Sequence, residues 1–397
     1  MATELVLRGA RKQTPGPAPQ PAVVAAALAA MAGLALAVAG HGPRQLAVFG
    51  LGVLLGVALY HATFGFTAAY RRLIVARDAR GVRAQLVMLG LATVLFAPVL
   101  ATGGAFGREV FGAVAPLGAQ VAVGAFLFGI GMQLAGACGS GALFTLGGGS
   151  PRMAVALLAF CVGSFWASLD FAYWQALPSW GEVALGEELG WPAAVVGQLG
   201  VLAGLWFALR RWNGPPQSAT SEESAPGWRW LRGPWPLLAG AAALAGLNFM
   251  TLIVAGHPWS ITWAFALWAA KTAQLVGWNA AEADFWSDGF PRAALEAPLL
   301  ADVVSVMDFG VVLGALLAAG LAGRFAPTIH VPRQSWLAAT LGGLAMGYGA
   351  RIAFGCNVGA FFSGVASTSL HGWLWIAAAL AGTWVGVRLR PIFGMRN

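Results

Sequence analysis

The sequence predicts an all-α integral membrane protein, built as two pseudo-symmetric inverted halves with broken or re-entrant helices around a central constriction. Three observations carry this reading. The 397 residues are 58% hydrophobic and only 10% charged, with a mean hydropathy of +0.72. Soluble domains run to about 45–50% apolar and about 25% charged residues, so the chain lacks the polar residues to cover a water-facing surface. Second, arginines gather in some loops and carboxylates in others. Third, one cysteine-centred motif occurs twice. The 55 glycines and 21 prolines then indicate closely packed helices, some of them interrupted.

Taken in order, Arg8, Arg11 and Lys12 precede an apolar run from Ala22 to Ala39. It imitates a signal peptide, but its length suits an uncleaved first helix. Further spans of spanning length are expected near 46–64, 84–101, 152–170, 191–209, 235–255, 303–323 and 371–387. Three more segments, near 117–149, 259–279 and 336–369, are apolar but rich in Gly, Ser or polar residues.

Loop charge sets orientation. Arg71, Arg72, Arg77, Arg80 and Arg83 mark one cytoplasmic loop, and Arg210, Arg211, Arg229 and Arg232 a second. Arg324 and Arg333 mark a third, and the tail with Arg388, Arg390 and Arg396 a fourth. Glu182, Glu187, Glu188, Glu282, Asp284, Asp288 and Glu296 mark the two external stretches 171–190 and 281–302. Both termini are then cytoplasmic, and the location is the cell inner membrane. Segments 117–149 and 336–369 each make one net crossing in opposite senses, and 259–279 is re-entrant from outside. The expected organisation is a cytoplasmic N-terminal segment 1–21, a first membrane half 22–209, a cytoplasmic linker 210–234, a second half 235–387 and a cytoplasmic tail 388–397. The net charge of +8 is therefore a topology signal and not a nucleic-acid footprint.

The two odd crossings share a motif. Residues 129–144 read GIGMQLAGACGSGALF and 347–362 read GYGARIAFGCNVGAFF, with Cys138 in register with Cys356. Gly129, Gly131, Ala135, Gly141, Ala142 and Phe144 also fall on identical residues in the second copy. Opposed crossings make this an inverted repeat, as in many secondary transporters. Small residues around one thiol indicate a broken helix. Irregular backbone at membrane depth occurs only where it packs in protein or lines a wet cavity. The half-helix after each break aims its positive N-terminal end at that cavity, so an anion is the expected visitor. Gly139, Ser140 and Asn357 lie beside the two thiols as candidate path residues.

On these residues the sequence resembles the YeeE/YedE family of sulfur-compound (thiosulfate) membrane transporters. The resemblance runs from about residue 45 and rests on CGSGALFTLGGG at 138–149, GHPWSITWAFALWAAK at 256–271 and YGARIAFGCNVGAFFSG at 348–364. It implies short helices and loops dipping to an hourglass-shaped centre, with Cys138 and Cys356 at the constriction. There the thiols would pass thiosulfate inward by transient S–H hydrogen bonds without covalent chemistry, and a cytoplasmic TusA-like sulfur carrier would receive the sulfur. Family members often carry a third pore cysteine in an early helix. Here Gly65, in Thr63-Phe64-Gly65-Phe66, holds that place, which leaves the exact anion open.

Lys271 and Arg351 are further candidates, as cations that draw the anion towards the centre. Asp302 and Asp308 are expected to open a helix N-terminus, with a counter-charge to Lys271 or a proton relay as the alternative for Asp308. Four of the five histidines fall at predicted segment edges, and most tryptophans belong to an interfacial belt. Cys161 reads as a packing residue. No P-loop, C-x-x-C pair or metal-ligand spacing is present in the chain, so no metal, no cofactor and no enzymatic activity are expected. The alternatives are a membrane thiol oxidoreductase or sulfurtransferase, a permease for another sulfur or selenium species, and a soft-metal permease.

Overall fold

The computed structural model describes residues 17–214, 230–328 and 331–397. The calls on Arg8, Arg11, Lys12, Arg229, His330 and most of the Pro/Ser/Glu-rich linker lie outside the described residues. What is described is helical apart from two short antiparallel strand pairs. Nine helical stretches among the described residues are long and apolar enough to cross a membrane.

In chain order the main helices before the linker are α1 (Pro21–Ala39), α2 (Pro43–Ala62), α3 (Phe66–Ala76), α4 (Arg80–Thr102), α5 (Ala119–Ala135), α6 (Gly139–Gly147), α7 (Pro151–Leu169) and α8 (Trp191–Trp212). Those after it are α9 (Leu237–Ala255), α10 (Thr262–Leu275), α11 (Gly289–Glu296), α12 (Val303–Ala322), α13 (Arg333–Ile352) and α14 (Leu370–Leu389). Between α13 and α14 runs a π-helical turn, Asn357–Phe362, continued by one α-turn, Ser363–Ala366. A proline in the first turn starts α1, α2, α7 and α8, where its missing N–H costs nothing and its fixed φ suits the helix.

Contacts fix the relative directions. Gly52 and Gly56 of α2 lie against Met307 and Val311 of α12, so those helices run parallel. Gly131 and Gly124 of α5 back onto the carbonyls of Gly342 and Gly349, which makes α5 and α13 antiparallel. Phe126 and Gln133 of α5 meet Gly382 and Gly386 of α14 in parallel, as Ala156 and Phe160 of α7 meet Gly343 and Gly347 of α13. Thus α5 is wedged between α13 and α14, and α13 between α5 and α7. Glycine makes these approaches possible: a Cβ on Gly382 would sit 2.0 Å from the Phe126 carbonyl oxygen.

α1 and α8 bury few residues, and Leu36, Val196 and Phe207 point outward. Such faces suit lipid. One end of the bundle carries the arginine-rich loops. The other carries the carboxylates on a cap formed by 171–190 and 276–302, with Trp286 fully buried in it.

One expectation is corrected, that for Asp308. Asp302 does cap α12, accepting from the Ser305 N–H at 2.7 Å. Asp308, however, lies inside that helix and is fully buried. Trp259, Trp286 and Trp375 are fully buried in the core. His371 is also buried, where it meets the Ser369 hydroxyl at 2.8 Å. Within the tail, Arg390 turns back to donate to the Gln133 carbonyl at 2.7 Å. Together with Arg152, which donates to the Leu134 and Ala135 carbonyls, it satisfies the orphan C-terminal carbonyls of α5.

Candidate functional site

The chain breaks at both motif copies in the same way. After α5, Gly136 adopts φ +82°, and after α13, Phe354 and Gly355 adopt φ +58° and +148°. Each turn carries the chain back into the bundle, and a cysteine becomes the first residue of a new helical segment. Cys138 is the N-cap of α6, and Cys356 the N-cap of the π-helical turn. Their carbonyls accept from Ala142 and Ala360. The Cys138 sulfur lies 3.5 Å from the Ser140 hydroxyl, and the Cys356 sulfur accepts from the Val358 N–H at 3.5 Å. The two motifs touch, because a methyl group added at Gly139 would stand 3.5 Å from the Cys356 sulfur. Both thiols are closed off, at 1% and 0% exposure.

Two more short helices start nearby. The loop after α9 enters the core as Pro258-Trp259-Ser260-Ile261, and α10 then leaves it. Ile261 and Thr262 stand 3.6 and 3.7 Å from the same point on Gly139. Asn248 holds this loop, accepting from the Trp259 N–H at 2.7 Å and donating to Ser363, which itself donates to the Trp259 carbonyl. Thr63 at φ +47° makes the fourth break, and Gly65 is the N-cap of α3. Gly65 therefore holds the same position in its helix as each cysteine does. A Cβ there would meet nothing closer than 4.0 Å.

From α3, Thr67 faces Cys138, and Tyr70 faces both Cys138 and Asn357. These residues are buried, and Tyr70 lies beside Asn357 and Thr67 beside Cys138, yet neither hydroxyl, neither side-chain end of Asn357 and not the Trp259 indole N–H makes a hydrogen bond of normal geometry. Buried polar groups are nearly always paired. Thr67, Tyr70 and Asn357 thus gather incompletely satisfied polar groups beside the two thiols and the N-termini of short helices. Thr67 and Tyr70 were absent from the residues singled out in the sequence. Their signal was a polar pair three apart on one helix face, directly after Gly65.

The two cations make their contacts away from this cluster. Arg351, in the last turn of α13, is held by rings, with its guanidinium 4.9 Å from Phe285, 5.5 Å from Phe171 and 5.8 Å from Trp263. Its Nε is buried without a partner. Cation–π contact stabilises the charge without neutralising it. Lys271 donates to the Leu295 and Ala297 carbonyls at 2.7 and 2.6 Å, at the C-terminal end of α11. There the helix dipole favours a cation, so its visible task is to fasten the cap. Cys161 lies in α7, buried and facing Asp308. No group of three potential metal ligands occurs among the described residues.

Apolar spans enclosing a polarised, closed centre are the construction of a multi-pass membrane transport protein. A model of the sulphur-transport family matches residues 61–385, and the chain belongs to that family. Among its relatives, the thiosulfate transporter TsuA of Spirochaeta thermophila is 26% identical over 361 residues, covering 84% of this chain and 95% of that protein. TsuA of Escherichia coli is 25% identical, covering 86% and 94%. The probable transporter YedE of Escherichia coli is 32% identical over 166 residues, which span 41% of this chain and 40% of YedE.

Proposed function

We propose that this protein takes up thiosulfate, or a closely related small sulfur anion, across the cell inner membrane along a path through Cys138 and Cys356. The observation that carries the reading is the pair of buried thiols at the N-cap positions of two short helical segments that meet, beside the buried polar side chains of Thr67, Tyr70 and Asn357. Thiosulfate is a compact dianion with a terminal sulfur and three oxygens. Helix N-termini and the Tyr70, Asn357, Thr67 and Trp259 donors suit the oxygens. The thiols offer weak S–H donors to the sulfur. Gly139 and Ser140 keep the gap between the motifs narrow and polar. Transfer needs no bond to sulfur, so the protein acts as a transporter and not as an enzyme.

The halves 22–209 and 235–387 then form an inverted pair, joined by the linker 210–234, and the reciprocal packing of α5, α13, α7 and α14 supports that reading. Arginine-rich loops lie in the cytoplasm with both termini, and the acidic cap lies outside. Arg351 and Lys271 lower the cost of bringing an anion past that cap. The two-thiol path includes Gly65 as open space at the start of α3. On the inner side the arginine loops offer a docking surface to a TusA-like carrier.

A strain that depends on thiosulfate for sulfur is expected to grow when it carries this protein. It is expected to lose that growth with Cys138→Ala or Cys356→Ala at equal protein level. Full growth of both variants would remove the thiols from the path.

A further inference from the structure

The α12 helix carries a carboxylic acid that the path described above does not use. Asp308 lies two turns into the span and is fully buried, and neither side-chain oxygen has a hydrogen-bond partner. It faces the path on one side and α7 on the other, with Cys356 and Cys161 as its titratable neighbours and Asp302 six residues earlier on the same helix. The elements packed on α12 bring no cation to it. Neither α1 nor α6 has a titratable side chain. In α2 there are only Arg44, Tyr60 and His61, near its ends. In α10 there is only Lys271, which lies towards Asp302 and the cap.

An isolated charge at membrane depth is expensive, and carboxylates that persist there mark ion or proton pathways. A structural acid would be expected to spend its hydrogen-bonding capacity on a neighbour, and Asp308 does not. We propose that Asp308 is the proton-coupling site: it holds one proton while the anion occupies the thiol site and releases it inward when the anion leaves. This inference rests on the thiosulfate reading. Its physics is electrostatic. A bound dianion beside Cys356 disfavours an ionised Asp308, so anion and proton each strengthen the binding of the other, as linkage requires. The balance is simple: one O–H bond forms from an external proton and the same bond breaks towards the cytoplasm. No electrons move.

The test is purified protein in vesicles with a pH dye trapped inside and labelled thiosulfate added outside. Wild type is expected to acidify the lumen in proportion to thiosulfate taken up, and an imposed inward proton gradient is expected to raise accumulation. The proton-to-thiosulfate ratio of Asp308→Asn should fall to the background of empty vesicles, and Asp308→Glu should restore it. An infrared band of a protonated carboxyl, present in wild type and lost in Asp308→Asn, checks the acid form whatever the variant's transport rate. Thiosulfate uptake by wild type without acidification, or absence of that band, would overturn the coupling while leaving the transport reading intact. Wild-type vesicles that take up no thiosulfate would defeat both.

Discussion

Cys138 and Cys356 are ordinary residues in an unusual place. Each is an N-cap, a position where Ser, Thr, Asp or Asn is preferred because a side-chain oxygen satisfies a free N–H. Sulfur is a weaker acceptor, and only Cys356 makes the capping contact. The exchange leaves N–H groups less fully satisfied at the ends of two buried helical segments, which is where an anion gains most. Replacing Tyr70 by Phe, or Asn357 by Leu, removes a buried polar group that makes no hydrogen bond of normal geometry within the protein. Either change is therefore expected to leave the fold intact. It should weaken thiosulfate uptake about tenfold, equivalent to about 1.4 kcal/mol for one lost hydrogen bond. Uptake assays at matched expression decide this. Gly139→Ala would bring a methyl group to 3.5 Å from the Cys356 sulfur, an ordinary packing distance. It should fold normally yet narrow the gap and slow uptake.

Residue identity in the sequence disclosed the two thiols through the repeat, and Asn357 as the neighbour of one of them, but not Thr67, Tyr70 or the burial of Asp308. The repeat reports only what the two halves share. Tyr70 and Thr67 come from an unpaired helix, α3, and Asp308 sits where a helical span gives no sign of which face is inward.

At the scale of elements, the four short helical segments at the centre depend on the long ones that hold them. Spans were legible because twenty apolar residues have one purpose in lipid. The breaks at the two cysteines were legible from the small residues around them, but the start of α3 was not, because the positive φ at Thr63 arises from tertiary packing and not from residue preference. The glycine contacts are the weak points of the scaffold. Gly382→Ala would drive a methyl group against the Phe126 backbone, and an overpacked core is destabilised by about 1–3 kcal/mol. A lower midpoint of thermal unfolding in detergent is the expected result, while the same change at Gly197, which has open space around it, should be silent. On the arginine-rich face, Asp78 ties the start of α4 to α3. Its carboxylate accepts from Arg80 at 3.0 Å, and these bonds hold its pKa below the usual aspartate value. A depressed pKa means that its contribution is complete above about pH 4 and is lost as the pH falls through the folded value. Asp78→Asn is expected to flatten that acid limb of a stability profile.

On the scale of the whole molecule, composition and loop charge decided the class, and the paired motif decided where to look. What they left open was how the ends are closed. Arg351 stands in an aromatic cage and Lys271 is fastened to the cap, so the acidic side is a built lid with cations inside it. Across the bundle, Arg152 and Arg390 cap α5 from the other face. The thiols are sealed from both sides in this conformation, so passage requires the short segments to move against the long helices.

The most direct measurement is labelled thiosulfate influx into vesicles containing wild type, Cys138→Ala, Cys356→Ala, the double variant and Cys161→Ala. A thiol path predicts influx reduced at least about tenfold in each single variant, no further large loss in the double variant, and wild-type rates for Cys161→Ala. Wild-type influx through the double variant would contradict the account.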